Sequence, residues 1–255
     1  MNRQAQSAVL FLLGASLLHA GTTDLYLRYV KQGLRPLVLL AGAVLIAAAV
    51  ATVWYERKRA RSRKHTHDER PDAEHTHDER PDAEHTHSEP RVSWLLVLPL
   101  LALILVAPPA LGSYSATRTG TALQEPLAYP ELPAADPLPL NVVDYAGRAV
   151  YDHGRTLRGR RIQLTGFLSL DRDGTPYLVR MALNCCAADA QPVKVALTGA
   201  VPPVLQPDTW LRITGTYTPR RMKDPVNGGP IPFIEVTEAK PVAEPTDPYD
   251  ESWNG

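Results

Sequence analysis

The sequence contains little cysteine: among 255 residues there are two, Cys185 and Cys186, and they are neighbours. Two cysteines cannot build a disulfide-stapled scaffold, and without CxxC spacing thioredoxin-like exchange is not expected. The sequence also lacks a GxSxG nucleophile elbow, an HExxH metalloprotease motif and a phosphate-binding loop. These absences predict that the protein is not an enzyme.

The sequence also lacks an excess of either positive or negative charge. The chain carries 27 basic and 27 acidic residues, and residues 141–255 carry thirteen of each sign. Binding to nucleic acid needs a basic surface that contacts phosphates. The charge balance therefore argues against nucleic acid as a partner.

Long apolar runs are present near the N-terminus. The run at 37–53 and the run at 92–111 each match the roughly 20 residues that a helix needs to cross a bilayer. A shorter run begins at residue 8, and bulky Leu18 stands where signal-peptide cleavage sites have a small residue. We therefore favour a retained first helix over a cleaved signal peptide. The expected spans are about 7–28 and 36–55 within residues 1–55, and then 92–111.

The basic residues orient these spans. The segment "ERKRARSRK" at 56–64 contains six basic residues, whereas the loop before the second span contains Arg28, Lys31 and Arg35. The positive-inside rule places the richer segment in the cytoplasm. The third span then crosses the membrane from the cytoplasm to the outside. We predict a multi-pass protein of the cytoplasmic membrane, in contact with the lipid bilayer, with its C-terminal domain extracytoplasmic.

A ten-residue repeat, "HTHDERPDAE", follows the basic segment. Its dense charge and its prolines predict that residues 56–91 form a disordered cytoplasmic linker. Imidazoles suit zinc, nickel or copper, so the repeat is a candidate for weak metal buffering, at a cost in chain entropy. The alternative is a polar linker with incidental histidines. The candidate ligands are His65, His67, His75, His77, His85 and His87.

The C-terminal part has the pattern of a small β domain. Residues 112–140 are rich in proline and predict an extended extracytoplasmic tether. Residues 141–243 show about five short alternating strands, with turn residues between them and one short helix near their start. This pattern predicts an all-β domain, a small OB-like barrel. Residues 244–255 are expected to form a disordered tail.

The adjacent cysteines are the candidate site. Neighbouring Cα atoms lie about 3.8 Å apart, below the 4.4–6.8 Å typical of disulfides, so a bond between Cys185 and Cys186 would be strained. Turn-forming residues on both sides allow the two sulfurs to converge beside Asp189. Thiolates select zinc or cuprous copper, and His153 is a candidate fourth ligand. Three interpretations stay open at this stage: a metal or thiol site, a vicinal disulfide, or packing alone.

Two patterns resemble a known family. They are RxxxxCCxAD and DxWxxxxG, here Arg180, Cys185, Cys186, Ala188 and Asp189, followed by Asp208, Trp210 and Gly215. Together with the apolar N-terminal part they resemble the DUF1980 (UPF0703) type, a bacterial membrane family described as permease subunits. The resemblance implies a polytopic permease as partner and a link to zinc-responsive genes.

We therefore expect an accessory subunit of a membrane permease complex. Three helices are too few for an ordinary secondary transporter, which pairs repeats around a site at the membrane midplane. The extracytoplasmic domain would bind a metal ion or pass it to a partner, and zinc is expected rather than copper. The alternative is a membrane-anchored extracytoplasmic binding or scaffold module that holds no metal.

Overall fold

The fold is taken from a computed structural model that describes residues 3–65, 109–201 and 206–251. The chain divides into two compact units. The first comprises residues 1–23 and 36–108, and the second comprises residues 24–35 and 109–255. The short segment between the first two helices therefore belongs to the same unit as the C-terminal domain.

Two long apolar helices form the described part of the first unit, α1 (Arg3–Thr22) and α2 (Arg35–His65). Both are long and apolar enough to cross a membrane, with mean hydropathies of 1.3 and 2.5 in their most apolar stretches. The predicted limits need correction. Helix α1 ends at Thr22 rather than at 28, and α2 continues beyond 55 because the alanine and basic residues that follow are good helix formers.

Glycines bring α1 and α2 close together. A Cβ atom added at Gly14 would lie 2.7 Å from Cγ1 of Ile46, and one added at Gly42 would lie 2.9 Å from Cγ of Leu18. Small residues at a helix interface let two backbones approach, which is how many helix pairs associate in membranes. The two helices thus pack as a hairpin that has no room for larger side chains at these positions.

We expect Gly42→Leu to destabilise the helical hairpin by roughly 1–3 kcal/mol, the usual cost of overpacking. Leucine favours helix more than glycine does, so a loss of stability would have a steric cause. The measurement is denaturant unfolding of the full-length protein in detergent. Gly33→Ala is the matched control, since a Cβ at Gly33 meets no described atom within 4 Å. Equal stability of the two variants would contradict the close packing.

The predicted third span falls mainly outside the described part of the chain, which omits residues 66–108. Residues 109–111 are described, and they are not helical. Leu111 packs against the outer face of the barrel, and its N–H donates to the hydroxyl of Tyr249 at 3.2 Å. The predicted span therefore does not continue as a helix over residues 109–111, and the rest of this prediction lies outside the described residues.

The C-terminal domain is a closed barrel of five strands. Strands β2, β5, β6, β4 and β3 pair in that order, and β3 pairs with β2 to close the ring. The β4–β6 pair is parallel and the other four pairs are antiparallel. This confirms the predicted all-β, OB-like fold. The strands are β1 (Leu138–Pro139), β2 (Arg161–Leu170), β3 (Pro176–Leu183), β4 (Gln191–Gly199), β5 (Trp210–Lys223), β6 (Pro230–Pro241) and β7 (Tyr249–Glu251).

Alternating apolar residues fill the barrel. Leu164, Leu178, Val195 and Ile213 come from four strands and are fully buried in one cluster. The predicted short helix is confirmed as a helix at Val142–Val150. Its apolar face packs into the same cluster and covers part of the barrel interior.

The predicted tether is wrong for its first part, because the chain folds back on the barrel there. A short helix, α3 (Ser113–Arg118), buries Ala116 against the outer barrel face. Ser113 holds it in place, since its N–H and its hydroxyl donate to the two carboxylate oxygens of Asp208 at 2.6 and 2.7 Å. We number the helix at Val142–Val150 as α4.

The predicted disordered tail is also corrected. Strand β7 lies within it and pairs in parallel with residues 181–183 of β3. The side chain of Asp250 is buried and accepts hydrogen bonds from Nε of Arg180 at 2.8 Å and from the N–H of Val142 at 2.9 Å. One carboxylate therefore joins β7, β3 and the first turn of α4.

Candidate functional site

The candidate site is the turn between β3 and β4, residues 184–190. Asp189 organises this turn, because its carboxylate accepts hydrogen bonds from three consecutive backbone N–H groups. The donors are Asn184 at 3.1 Å, Cys185 at 2.9 Å and Cys186 at 3.4 Å. Aspartate commonly stabilises turns in this way. The fold thus fixes the carboxylate directly beside both cysteines.

Both cysteines are free thiols, and the predicted convergence with Asp189 is present. The ligand atoms of Cys185, Cys186 and Asp189 all lie within 4.8 Å of one another. The thiol of Cys185 is exposed and donates to Oδ2 of Asp189 at 2.9 Å, and Cys186 is half-buried. The exposure of Cys185 argues against packing as its role.

The carboxylate and the thiol shift each other's pKa in opposite directions. The hydrogen bond to Asp189, followed by that to Cys186, raises the pKa of Cys185 to about 11. Partial desolvation raises the pKa of Asp189, but hydrogen bonds from the Cys185 thiol and the neighbouring N–H groups outweigh it and hold this pKa below its usual value. Near neutral pH the pair is therefore a thiol that donates to a carboxylate.

Two sulfurs and one carboxylate oxygen form a ligand set that suits zinc or cuprous copper. Zn–S bonds of about 2.3 Å in a tetrahedral site put two sulfurs roughly 3.7 Å apart. The ligand atoms now lie within 4.8 Å of one another, at most about 1 Å beyond that spacing. Small rearrangements of the turn would close the three ligands on one ion and leave a fourth position open.

The predicted fourth ligand, His153, does not join the cluster of ligand atoms that the described residues form. It lies after α4, where its Nδ1 is 3.0 Å from Nη2 of Arg221 and its carbonyl accepts from the hydroxyl of Tyr217. The other predicted ligands are the repeat histidines. Only the backbone of His65, the last residue of α2, is described, and His67, His75, His77, His85 and His87 lie outside the described residues.

Sequence reasoning missed a segment that contacts the site. Val30, in the loop between α1 and α2, forms an antiparallel bridge with Cys186. The N–H of Lys31 donates to the carbonyl of Cys185 at 3.1 Å, and the N–H of Ala187 donates to the carbonyl of Tyr29 at 2.7 Å. Nothing in the sequence indicates this pairing, since the two segments are about 155 positions apart and the loop has no strand pattern.

The other residues of the two sequence patterns have structural partners. Nη2 of Arg180 donates to the carbonyl of Tyr249 at 2.8 Å, in addition to the Nε bond to Asp250. Its guanidinium carbon lies 5.1 Å from the ring centre of Trp210. The pattern therefore combines one possible ligand set with a set of residues that hold β7 and α3 on the barrel.

Comparison with protein families gives one match. Residues 134–250 match the family described as the DUF1980 C-terminal domain. The matched segment contains the barrel, α4, the cysteine turn and the first two residues of β7. Comparison with curated proteins and with solved structures gave no match.

Proposed function

Because residues 134–250 match the DUF1980 C-terminal domain, we propose that the protein is an accessory subunit of a membrane permease complex. Its C-terminal domain binds a metal ion through Cys185, Cys186 and Asp189, with zinc preferred over copper. One observation carries the metal site: two free thiols and a carboxylate have their ligand atoms within 4.8 Å on an accessible turn.

The placement of the loop between α1 and α2 supports an extracytoplasmic domain. Residues 24–35 fold into the same unit as residues 109–255, so both segments lie on one side of a membrane that α1 and α2 cross. The basic residues 57–64 follow α2's apolar stretch and favour the cytoplasm. The loop, and the barrel with it, then lie outside. This topology needs a crossing between residues 66 and 108, as the apolar run from residue 92 predicts.

Exposed apolar side chains on the helices support a membrane partner. Phe11, Leu40, Val44 and Val50 are exposed in the structure. In a bilayer such residues contact lipid or another helix. Two or three helices do not enclose a transport path of the usual kind, so the partner we propose is a polytopic permease.

The chemistry of the turn fits transfer of an ion better than permanent storage. Metal binding requires thiolates, so an ion would displace the thiol proton that Cys185 now shares with Asp189 and release it to solvent. A site with three protein ligands keeps one position for water or for a ligand from a partner. An acceptor site on the permease could therefore take the ion by stepwise exchange of ligands.

The proposal is tested by zinc binding to the full-length protein in detergent and reducing buffer. The six histidines of the repeat are replaced by asparagine so that the outer site is measured alone. We expect one zinc per chain, and at least tenfold weaker binding after Cys185→Ser with Cys186→Ser or after Asp189→Asn, because each removes charged ligands. Cobalt in place of zinc should show thiolate-to-metal absorption in the parent protein.

Asp173→Asn is the matched control, since Asp173 also accepts a backbone hydrogen bond in a turn, from Thr175 at 2.9 Å. It should leave zinc binding unchanged. If the parent protein binds no zinc, or binds it equally well without the cysteines, the metal site is wrong and the scaffold alternative is favoured. The partner is tested separately: the protein purified from native membranes should carry a polytopic protein, and a purely monomeric preparation would contradict the docking.

A further inference from the structure

The loop between the two apolar helices has a defined structure along its whole length. A 3-10 turn at Asp24–Arg28 follows α1, and a second at Gln32–Leu34 leads directly into α2. Tyr26 and Leu27 in the first turn are 4% and 7% exposed. Between the two turns stand only residues 29–31, the residues that pair with the cysteine turn. Only the second turn stands between this pairing and Arg35, the first residue of α2.

The pairing reaches the backbone of both cysteines. Tyr29 accepts from Ala187, Val30 lies opposite Cys186, and Lys31 donates to the carbonyl of Cys185. The same turn is held from its other side by Asp189, whose N–H donates to the carbonyl of Cys186 at 3.0 Å. The position of each sulfur therefore depends on two elements: the aspartate within the turn and the loop from the helical hairpin.

We propose that residues 29–31 form part of the thiol site and that the loop transmits the binding of a metal ion from this site to the start of α2. This rests on the proposed function for the identity of the ion. Bringing the three ligand atoms, now within 4.8 Å of one another, to a spacing of roughly 3.7 Å is expected to shift the cysteine backbone together with the side chains. The loop is bonded to that backbone, and it continues without interruption into α2.

Thermodynamic linkage makes the coupling reciprocal. If a bound ion strengthens the pairing between loop and turn, then the pairing must strengthen ion binding by the same factor. A single hydrogen bond of the pairing corresponds to roughly a fivefold change in an equilibrium constant. In such a subunit, binding of an ion at the outer site affects the start of α2. Through the helices, it affects the permease.

One substitution removes a backbone hydrogen bond of the pairing. Lys31 has φ −56° and ψ 143°, which proline adopts without strain. Val30, before it, has the extended backbone of a bridge residue, which a following proline tolerates. Lys31→Pro therefore weakens the pairing, because it deletes the N–H donor to Cys185 and its ring meets the carbonyl that accepted this hydrogen bond. Lys31→Gln is the matched control, because it removes the side-chain charge and keeps the N–H.

The first measurement uses the metal-free, full-length protein and needs no assumption about zinc. We follow the alkylation rate of each cysteine with a maleimide. With Lys31→Pro we expect Cys186, which is half-buried beside the loop, to react roughly fivefold faster, and with Lys31→Gln we expect no change. Equal rates in parent protein and Lys31→Pro would overturn the loop's place in the site.

The second measurement adds zinc. In the parent protein we expect zinc to slow amide hydrogen exchange in residues 29–36, and in Lys31→Pro we expect zinc to bind roughly fivefold more weakly. Tight zinc binding with exchange of residues 29–36 unchanged would overturn the transmission. If alkylation responds as expected but no zinc binds, the proposed function and the transmission of a zinc signal are both wrong, and the loop's place in the thiol site stands.

Discussion

Replacing Asp250 by alanine will lower the free energy of unfolding of the protein by about 3–5 kcal/mol, as measured by denaturant unfolding monitored by the fluorescence of Trp210 and the other tryptophans. The side chains of Arg180 and Asp250 are only 9% and 7% exposed and form an ion pair with 2.8 Å between Nε and Oδ1. Removing the carboxylate leaves a buried guanidinium without its counter-ion. Leaving one buried charge without its partner costs far more free energy than the intact pair contributes to stability.

Two further contacts add to this cost. Oδ2 of Asp250 accepts from the N–H groups of Val142 and Val143 at the start of α4, so the variant also leaves two N–H groups of the first helical turn without this acceptor. Nη1 of Arg180 is already buried without a hydrogen-bond partner among the described residues. The guanidinium therefore has little capacity to find new partners when Asp250 is removed.

The control for this prediction is Asp136→Ala. Asp136 also pairs with an arginine, Arg161, through two hydrogen bonds, but both side chains are more than half exposed. Exposed pairs contribute little because water screens them and both partners remain hydrated when separated. The double variant Arg180→Met with Asp250→Leu should recover much of the lost stability. An Asp250→Ala variant as stable as Asp136→Ala would show that β7 is not held in place by this pair.

Replacing Asp224 by alanine is expected to be comparably destabilising, again by about 3–5 kcal/mol. Nζ of Lys194 lies 2.8 Å from Oδ2 of Asp224, and their side chains are 4% and 0% exposed. The same oxygen accepts from the N–H of Thr121 at 2.9 Å, and Oδ1 accepts from the N–H of Val226 at 2.8 Å. The variant therefore loses the partner of a buried ammonium and an anchor of the segment that follows α3.

This pair also predicts how stability depends on pH. Burial by itself raises the pKa of Asp224, but hydrogen bonds from Lys194 and from the two N–H groups outweigh it and lower this pKa below its usual value. A carboxyl with a lowered folded-state pKa contributes stability that is complete above its unfolded value of about 3.9 and is lost as pH falls toward its folded value. Stability should therefore decline in acid, beginning near pH 4–5.

The test is denaturant unfolding between pH 3 and pH 7 of the parent protein and of Lys194→Met with Asp224→Leu. The double variant removes both charges and should lose part of the decline in acid, while its stability at pH 7 stays closer to the parent than that of Asp224→Ala. A decline of equal size in both proteins would mean that other carboxyls cause it.

The fold could be predicted where the residue pattern of one short segment is enough to identify its secondary structure. Alternating apolar residues predicted strands such as β2 and β5, and one short helix was predicted near the start of the domain. That helix is α4, and its cap is Asn141, whose side chain accepts from the N–H of Asp144. Such local patterns predict which segments form strands and helices, whereas the β2–β5 and β4–β6 pairs join strands that are not consecutive in the chain. The convergence of Cys185 with Asp189 was predictable for the same reason, because four residues of one turn bring them together.

The parts that sequence did not reveal depend on partners far along the chain. Strand β7 has three residues, and its anchor Arg180 lies 70 positions away from Asp250. Helix α3 has six residues and depends on Asp208, 95 positions from Ser113. Segments this short have no periodicity of their own, and a proline-rich composition suggests a free tether even where single polar contacts fix the chain. The pairing of Val30 with Cys186 belongs to the same class.

Helix α3 has a consequence for what this barrel can recognise. OB barrels bind oligonucleotides and oligosaccharides on the face of their second and third strands, here β3 and β4, with the loops beside it. In this chain Ala116 is buried on that face against Tyr177 and Val179, and the N–H of Ala122 donates to the carbonyl of Pro192 in β4. The surface on which other OB barrels hold a polymer is thus covered by the protein's own backbone.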